Sequence, residues 1–432
     1  MNLSNPVRPH TPLRQYLFDL TLHGIKLGLD NIQALLRAAD APHLAYPTVH
    51  VGGTNGKGSV VAMLSAMLTG SGYRVGRFTS PHLIDVSERF LIDGVAIAEE
   101  DLEENILFFQ QVAQGMAQCP TFFEMNTAIA FRYFAQQKVD IALIEVGMGG
   151  RFDSTNVVVP VATAITNIAL EHTAFLGDTI AKIAFEKAGI IKPGVPVVTA
   201  ETQPEALDVF RRRAEEEGAP LIRVGSDITF ELSGSAWQQR LTYTGSTLDF
   251  QDVPLGLPGR YQGANAAVAV GVAETLMATF PKLTADAIAG GLRTAAWPCR
   301  LEKVLDEPPV FIDVAHNVAG AQRLAEVFED CVVVFAASSD KDAAGMLAAL
   351  QPIARRLIVT QFEGKRSTPV GDLAAHLESG TFEQFDRLQA AITHGLAHGR
   401  EDCPVLITGS IYAAGEGRQY LIDNVGAKSL QF

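Results

Sequence analysis

The chain has 432 residues, 47% of them hydrophobic, and carries 48 acidic against 34 basic residues, a formal net charge of −14. This length allows two or three domains with sizeable cores, and the composition excludes wholesale disorder. A chain this acidic is a poor candidate for tracking a nucleic-acid backbone, so we expect no nucleic-acid partner. Any anionic ligand must therefore be held by a local cluster of positive groups.

The sequence shows no sign of export or of a membrane span. Residues 1–10 lack the apolar segment of a signal peptide, and apolar stretches such as 157–170 are too short and too polar to cross a bilayer. The cysteines are far apart, have no metal-ligand spacing and are too few for a disulfide framework; they are Cys119, Cys299, Cys331 and Cys403. We therefore expect a cytoplasmic protein with reduced thiols and no membrane partner.

Strand-like and helical patterns alternate along the chain, which predicts a parallel sheet with helices on both faces. The predicted elements, in chain order, are a strand at 48–51, a helix at 60–68, strands at 139–146 and 161–166, a helix at 179–189 and a strand at 195–199. Residues 226–253 alternate apolar and polar side chains and predict a small antiparallel addition. Strand patterns restart beyond Trp297, at 310–314, 331–336, 357–360 and 405–408, and predict a second, smaller α/β domain.

A glycine-rich turn joins the first predicted strand to the first predicted helix and contains Lys57. Glycines let the backbone approach phosphate oxygens, the helix start offers its positive end, and lysine adds a point charge. The turn departs from the strict Walker pattern, because Val51 lies six residues before Lys57 and Gly58 separates Lys57 from Ser59. An ordinary turn needs no such charge, so we interpret it as a phosphate-binding turn comprising Gly53, Thr54, Asn55, Gly56, Lys57, Gly58 and Ser59.

Polar residues also follow other predicted strands. Glu145 lies at the carboxyl end of a buried strand, where open parallel sheets place ligands, and it could ligate magnesium or cap a neighbouring helix. His172 follows the strand at 161–166 and could be a metal ligand, a base or a structural residue. The loop at 149–156 contains Arg151 and Asp153 and is rich in glycine and polar residues, as functional loops at this edge often are.

Lys187 lies on the apolar face of the helix predicted at 179–189, whose cap is Asp178 or Thr179. A buried lysine is costly unless it is modified or paired. The alternative is a surface lysine whose stem packs against the protein while its ammonium reaches water.

Other signals are weaker. Thr121 and Glu124 have the spacing of a helix capping box, a structural role. In the C-terminal third, Arg300, Asp313 and His316 lie near a predicted strand, and each alone points to no particular chemistry.

Together these segments resemble the folylpolyglutamate synthase and dihydrofolate synthase family within the Mur ligase superfamily. Matching blocks run in the expected order from 23–29 to 408–412, and the most specific lie at 53–59, 79–83, 144–156, 186–190 and 313–317. The resemblance implies an α/β fold of two domains. These would be a P-loop-type, parallel-sheet ATPase domain at residues 1–296 and a smaller, Rossmann-like glutamate-ligase domain at residues 297–432.

The resemblance also implies roles for individual residues. Lys57, Lys187, His316 and Arg300 would be catalytic, and the phosphate-binding turn, Asn265, Arg300 and Asp313 would bind ATP. Ser80, Glu145 and His172 would ligate Mg²⁺, and Arg151 and Asp153 would bound the pteroate pocket of a bacterial bifunctional enzyme. The family carries the lysine that matches Lys187 as a carbamate.

The implied reaction joins L-glutamate to dihydropteroate or to folate polyglutamates through an acyl phosphate, with ATP as co-substrate, Mg²⁺ as cofactor and a monomer as the active species. Two alternatives stay open: another amino-acid ligase of the superfamily, such as a cell-wall enzyme, and an ATP-binding regulatory protein that ligates nothing. The order Gly-Lys-Gly-Ser favours the folate ligases, because cell-wall ligases usually place the hydroxyl residue directly after lysine. The magnesium set and Arg300 favour an enzyme over a regulatory protein.

Overall fold

The computed structural model describes residues 11–24, 26 and 28–428, so Ile25 and Leu27 of the block at 23–29 lie outside the described residues. The chain divides into two compact units. The N-terminal unit includes residues 11–256 and 260–295, and the C-terminal unit includes residues 257–259 and 296–428. No helix of the described ranges is both long enough and apolar enough to cross a membrane.

The N-terminal unit alternates strands and helices as the sequence predicts. Its strands are β1 (Thr48–Gly52), β2 (Val75–Phe78), β3 (Phe90–Ile92), β4 (Val95–Ala96), β5 (Ile141–Glu145), β6 (Ala162–Ile165), β7 (Val197–Thr199), β8 (Leu221–Arg223), β9 (Thr229–Gly234), β10 (Gln239–Thr244) and β11 (Asp249–Pro254). Its helices are α1 (Pro12–Asp19), α2 (Asp30–Ala38), α3 (Lys57–Gly70), α4 (Glu99–Gln114), α5 (Phe122–Gln136), α6 (Thr173–Leu176), α7 (Ile180–Ala188), α8 (Pro204–Glu217), α9 (Gln262–Leu276) and α10 (Ala285–Thr294).

The main sheet of this unit has the strand order β4-β3-β2-β5-β1-β6-β7-β8. Six neighbouring strands of this sheet are parallel, namely β2, β5, β1, β6, β7 and β8. At the edge beyond β2, β3 pairs antiparallel with both β2 and β4. β1 therefore lies between β5 and β6 and is fully buried, including the polar side chains of Thr48 and His50. Because neighbouring parallel strands end at the same edge, this order brings the segments after β1, β5 and β6 close together.

Residues 229–254 form the predicted antiparallel addition, with the strand order β11-β10-β9. The capping box at the start of α5 is confirmed, since Thr121 accepts a hydrogen bond from the backbone N–H of Glu124 and Glu124 accepts one from the N–H of Thr121. The cap of α7 is Thr179, which settles the choice that the sequence left open.

The C-terminal unit is a second α/β sheet, as predicted. Its strands are β12 (Glu302–Asp306), β13 (Pro309–Ile312), β14 (Cys331–Phe335), β15 (Ala354–Thr360), β16 (Glu383–Phe385) and β17 (Val405–Thr408), and its helices are α11 (Val318–Ala325), α12 (Ala343–Leu350), α13 (Val370–Ala374), α14 (Leu388–His398) and α15 (Ile411–Val425). The strand order is β12-β13-β17-β14-β15-β16, parallel except for β12. β12 and β16, at the two edges, were not predicted.

Candidate active site

The phosphate-binding turn has backbone conformations that require its glycines. Gly53 and Gly56 adopt φ values of 127° and 90°, a region that side chains disfavour. A Cβ atom at Gly53 would lie 1.9 Å from the hydroxyl of Thr166, and one at Gly56 would lie 2.3 Å from Oδ1 of Asn265. The turn is thus packed against the segment after β6 and against α9, and α3 begins within the turn, at Lys57.

The segment after β6 holds the turn through hydrogen bonds to the backbone of the turn. The N–H of Thr54 donates to the carbonyl of Asn167 at 2.7 Å, and the side-chain amide of Asn167 bonds both the N–H and the carbonyl of Asn55, each at 3.1 Å. Thr166 donates its hydroxyl to the same carbonyl at 2.6 Å. Because the amides of Thr54 and Asn55 are thus engaged, the amides at the start of α3, residues 56–59, are the ones oriented for an anion.

Thr166 and Asn167 were not predicted as site residues. Their only sequence signal is a Thr-Asn pair at the end of a buried strand, which many strand ends share. Their importance follows from the strand order, since β6 lies directly beside β1.

Two lysines converge on one carbonyl oxygen of the turn. The ammonium of Lys57 donates to the carbonyls of Gly53 at 3.2 Å and Thr54 at 3.1 Å. The side chain of Lys187 donates to the same Gly53 oxygen at 2.8 Å. The predicted burial of Lys187 is confirmed, because only 5% of it is exposed, and the surface-lysine alternative is excluded.

The surroundings of Lys187 favour its neutral amine. Burial and the nearby charge of Lys57 lower the pKa of Lys187 to about 7, although Glu171 and Asp153 oppose the shift. A neutral lysine amine is a nucleophile and can react with carbon dioxide, whereas an ammonium cannot.

Glu145 and Ser80 are adjacent. Glu145 is the last residue of β5, is 5% exposed, and accepts a hydrogen bond from the backbone N–H of Ser80 at 3.1 Å. The buried guanidinium of Arg77, on the neighbouring strand β2, lies near this carboxylate. Burial lowers the pKa of Arg77 to about 10, and the charge of Glu145 opposes that shift.

His172 lies in the segment after β6, at the start of α6, with φ of 50°. Its ring Nε2 is 3.8 Å from a carboxylate oxygen of Glu171, and its side chain is 35% exposed. Within the described ranges, no three His, Cys, Asp or Glu side chains cluster as a metal site would require. One carboxylate and a hydroxyl still fit Mg²⁺, because that ion keeps several waters and binds substrate phosphates.

Arg151 pairs with an acid on α7. Its guanidinium makes two hydrogen bonds to the Glu186 carboxylate, at 2.6 and 3.3 Å, and lies over the rings of Phe152 and Phe185 at 4.3 and 4.9 Å. Its backbone N–H also donates to the carbonyl of Glu186 at 2.8 Å. The loop at 149–156 is therefore fastened to the end of the helix that carries Lys187.

The carboxylate of Asp153 organises its own loop. One oxygen accepts from the N–H of Met148 at 2.8 Å, and the other accepts from the N–H and the hydroxyl of Thr155 at 3.0 and 2.5 Å. Burial raises the pKa of Asp153, while these hydrogen bonds oppose the shift. The side chain thus fixes the shape of the loop, and an acceptor could bond it directly only by displacing a present partner.

Asn265 lies on α9 beside the phosphate-binding turn. Its amide donates to the side chain of Gln262 at 2.8 Å, and Gln262 donates to the hydroxyl of Ser59 at 3.3 Å. Gln262 was not predicted as a site residue. These bonds hold α9 against the start of α3.

Arg300, Asp313 and His316 belong to the C-terminal unit. The buried carboxylate of Asp313 accepts from the N–H groups of Leu301 and Ala315 at 2.9 and 2.8 Å, and burial raises its pKa while Arg300 opposes the shift. His316 donates its Nδ1–H to the carbonyl of Val314 at 2.9 Å, because a carbonyl can only accept. The neutral ring therefore carries no hydrogen on Nε2.

Comparison with known proteins identifies the family. Residues 51–273 match the Mur ligase middle domain, and residues 299–411 match the Mur ligase, glutamate ligase domain. The dihydrofolate synthase/folylpolyglutamate synthase of Bacillus subtilis is 37% identical over 94% of this chain and 98% of that protein. The corresponding protein of Escherichia coli is 30% identical over 92% of each chain.

Solved structures agree with the sequence comparison. The Mycobacterium tuberculosis folylpolyglutamate synthase complexed with ADP superposes with a TM-score of 0.87 at 32% identity, covering 94% of this chain and 97% of that one. Escherichia coli FolC in complex with DHPP and ADP gives a TM-score of 0.86 at 29% identity, covering 97% of this chain and 100% of that one. The chain therefore belongs to the dihydrofolate synthase/folylpolyglutamate synthase family of Mur ligases and is an ATP-dependent glutamate ligase.

Proposed function

We propose that the chain ligates L-glutamate both to dihydropteroate and to folates, with Mg²⁺ and ATP, through an acyl phosphate. The observation that carries the ligase chemistry is the convergence of Lys57 and the buried Lys187 on one carbonyl of the phosphate-binding turn. The Lys57 ammonium at that point is suited to holding a triphosphate, and the buried amine of Lys187 beside it can become a carbamate whose negative charge would face a cation bound with the phosphates.

Different residues of the N-terminal unit have different roles in the proposed phosphoryl transfer. The amides of residues 56–59 and the Lys57 ammonium hold the phosphates, and the acceptor carboxylate attacks the γ-phosphorus as ADP leaves. Glu145, Ser80 and His172 would hold Mg²⁺, which would neutralise charge on the phosphate oxygens. The amine of glutamate then attacks the acyl phosphate, and phosphate leaves with its electron pair.

Lys187 is proposed to act as a carbamate. Its neutral amine would bond the carbon of carbon dioxide and release one proton, which converts a costly buried cation into an anion. The new carboxylate would face the cation site. Glu171 and Asp153 already contribute negative charge nearby, so the carbamate would be stable only with Mg²⁺ bound.

Four further residues are proposed to bind ATP. Asn265 would lie near the adenine, where α9 meets the turn. From the C-terminal unit, Arg300 and His316 would contact phosphate groups and Asp313 the ribose.

We propose the domain division at residues 1–296 and 297–432, and a cytoplasmic monomer as the active form. Light scattering behind size-exclusion chromatography should give a mass near that of one chain, 46.3 kDa. A mass twice as large that persists on dilution would remove the monomer proposal.

Activity on dihydropteroate rests on the loop that contains Arg151 and Asp153. A pteroate lacks a glutamate tail, so its benzoate carboxylate must reach the γ-phosphate while its ring lies deeper in the pocket. The hydrogen bonds of Arg151 to Glu186 fasten this loop to α7, the helix that also carries Lys187. Arg151, still paired with Glu186, would line the wall of the site that binds dihydropteroate. Asp153 would maintain the conformation of the loop.

The test is a steady-state ligation assay with dihydropteroate as the only acceptor, run beside one with tetrahydrofolate. Turnover with both acceptors is expected, and Asp153→Ala should impair the dihydropteroate reaction more strongly. The matched control is Asp178→Ala, which removes an exposed acid that pairs only with Lys182 in its described contacts. Extension of tetrahydrofolate without any product from dihydropteroate would reduce the function to polyglutamate synthesis alone.

A further inference from the structure

A chain of buried hydrogen bonds joins the strand before the phosphate-binding turn to the loop at 149–156. His50, in the middle of β1, contacts the hydroxyl of Thr155 through its ring Nε2 at 2.9 Å. The same hydroxyl contacts Asp153 at 2.5 Å. His50 and Thr155 are 0% exposed and Asp153 is 7% exposed, so water does not compete for these bonds.

The direction of each bond follows from the chemistry of the groups. The short contact to Asp153 is in the range of a hydroxyl donating to a carboxylate, and a hydroxyl has one hydrogen to donate. Thr155 must therefore accept from His50, which fixes the ring in the tautomer that carries its hydrogen on Nε2. Burial and the charge of Lys192 lower the pKa of His50 to about 3, so the ring is neutral, and its buried Nδ1 has no hydrogen-bond partner among the described residues.

That unsatisfied nitrogen indicates that the histidine is not there for packing alone. An apolar side chain would fill the space without leaving a buried acceptor unpaired, which costs free energy. The hydrogen bond that His50 donates to Thr155 offsets the cost of its unpaired Nδ1. Thr48, two residues earlier on the same strand and face, offers a contrast, because its buried hydroxyl makes no hydrogen bond in the described structure.

We propose that His50 and Thr155 are positioning residues that set the affinity for the acceptor substrate by fixing Asp153 and, through it, the loop at 149–156. Asp153 in turn fixes the N–H of Met148, and the loop is fastened to α7. This proposal rests on the proposed role of the loop in binding dihydropteroate. It predicts an effect on acceptor binding that leaves ATP binding unchanged, although His50 lies on the strand that leads into the phosphate-binding turn.

The experiment compares the Michaelis constants for dihydropteroate and for ATP in matched variants. Thr155→Val removes the hydroxyl at nearly constant shape, and Thr155→Ser restores it. His50→Leu removes the donor, and His50→Gln replaces it with an amide N–H of similar reach. Thr48→Val is the control, since it makes the same change in a buried threonine of β1 whose hydroxyl makes no hydrogen bond in the described structure.

Thr155→Val and His50→Leu should each raise the KM for dihydropteroate about tenfold, the effect of about one buried hydrogen bond, and leave the KM for ATP within about twofold. Thr155→Ser and His50→Gln should restore most of the loss, and Thr48→Val should match the parent. Partial unfolding of a variant would lower the apparent kcat without changing either KM. The double variant should be no worse than either single one, because both break the same chain.

Asp153→Ala separates failure of this proposal from failure of the proposed acceptor site. If Asp153→Ala raises the KM for dihydropteroate while Thr155→Val does not, the positioning role is wrong and the acceptor site stands. If neither changes that constant, both are wrong. A parallel rise in the KM for ATP in Thr155→Val would also overturn the proposal, because it would show a general distortion of β1.

Discussion

Replacing Lys187 by methionine should abolish ligation and yet stabilise the N-terminal unit. Methionine has a similar length and no charge, so it can fill the space beside Gly53 without a buried ammonium. The lysine is 5% exposed, and its pKa falls from 10.5 to about 7, chiefly because burial penalises the cation. A residue kept for chemistry at a cost in stability is expected at an active site.

The size of the effect follows from the pKa. Each tenfold change in an ionisation constant corresponds to about 1.4 kcal/mol, so a fall from 10.5 to about 7 places the cost of the buried ammonium on the order of 5 kcal/mol. The hydrogen bond to the carbonyl of Gly53 returns about 1–3 kcal/mol of this. We therefore expect Lys187→Met to raise the free energy of unfolding by about 2–4 kcal/mol below pH 7.

The pH dependence has a definite sign. Below pH 7 the amine is protonated in the folded and the unfolded chain, and the full cost is present. Between pH 7 and 10.5 the folded protein releases its proton while the unfolded chain keeps it, so the parent gains stability as the pH rises. The advantage of Lys187→Met should therefore be greatest at pH 6 and should disappear by pH 9.5.

The assay is urea unfolding followed by circular dichroism at both pH values, in magnesium-free buffers purged of carbon dioxide so that no carbamate forms. Lys182→Met is the matched control, because Lys182 lies on the same helix with a side chain that is 62% exposed, and it should change stability by less than about 0.5 kcal/mol. A destabilised Lys187→Met, or an equal gain at pH 6 and pH 9.5, would refute the reasoning.

Three further predictions concern the phosphate-binding turn and the metal site. Gly56→Ala should lower ligation at least a hundredfold by kinetic assay, because its Cβ would meet Asn265 at 2.3 Å in a left-handed conformation, whereas Gly290→Ala, in open space on α10, should be silent. Lys57→Ala should abolish ATP turnover with an unchanged circular dichroism spectrum, and near-normal turnover would remove the phosphate-binding role. Glu145→Gln should shift the Mg²⁺ activation curve to higher concentration, and a curve that overlays the parent would exclude Glu145 as a ligand.

Local patterns were sufficient to predict several central elements of the fold. β5, β6 and β7 are short, largely apolar runs, and such runs are buried in a parallel sheet whatever surrounds them. The antiparallel addition follows from its alternating side chains. Six strands were missed, because a strand of two to five residues that gains its stability from a neighbour has too little pattern of its own; they are β2, β3, β4, β8, β12 and β16.

The candidate site also contains residues that the local sequence reveals and residues that only the fold reveals. Lys57 and the glycines of its turn are evident from sequence because phosphate binding by a helix start needs that local order of residues. Thr166, Asn167 and Gln262 are not, because what they do depends on β6 and α9 lying beside the turn. Arg151 and Asp153 could be named as loop residues from sequence, but only the folded loop shows that both side chains are engaged within the protein.

The sequence by itself determined the class of fold, the phosphate-binding turn and, through its ordered motifs, the family, because these depend on residues close together in the chain. Only the tertiary structure decided which helix face buries Lys187 against Gly53, which segment clamps the turn, and which partners hold Arg151 and Asp153. These contacts join residues that lie up to 134 positions apart. Their geometry is set by strand order and packing, which no local pattern encodes.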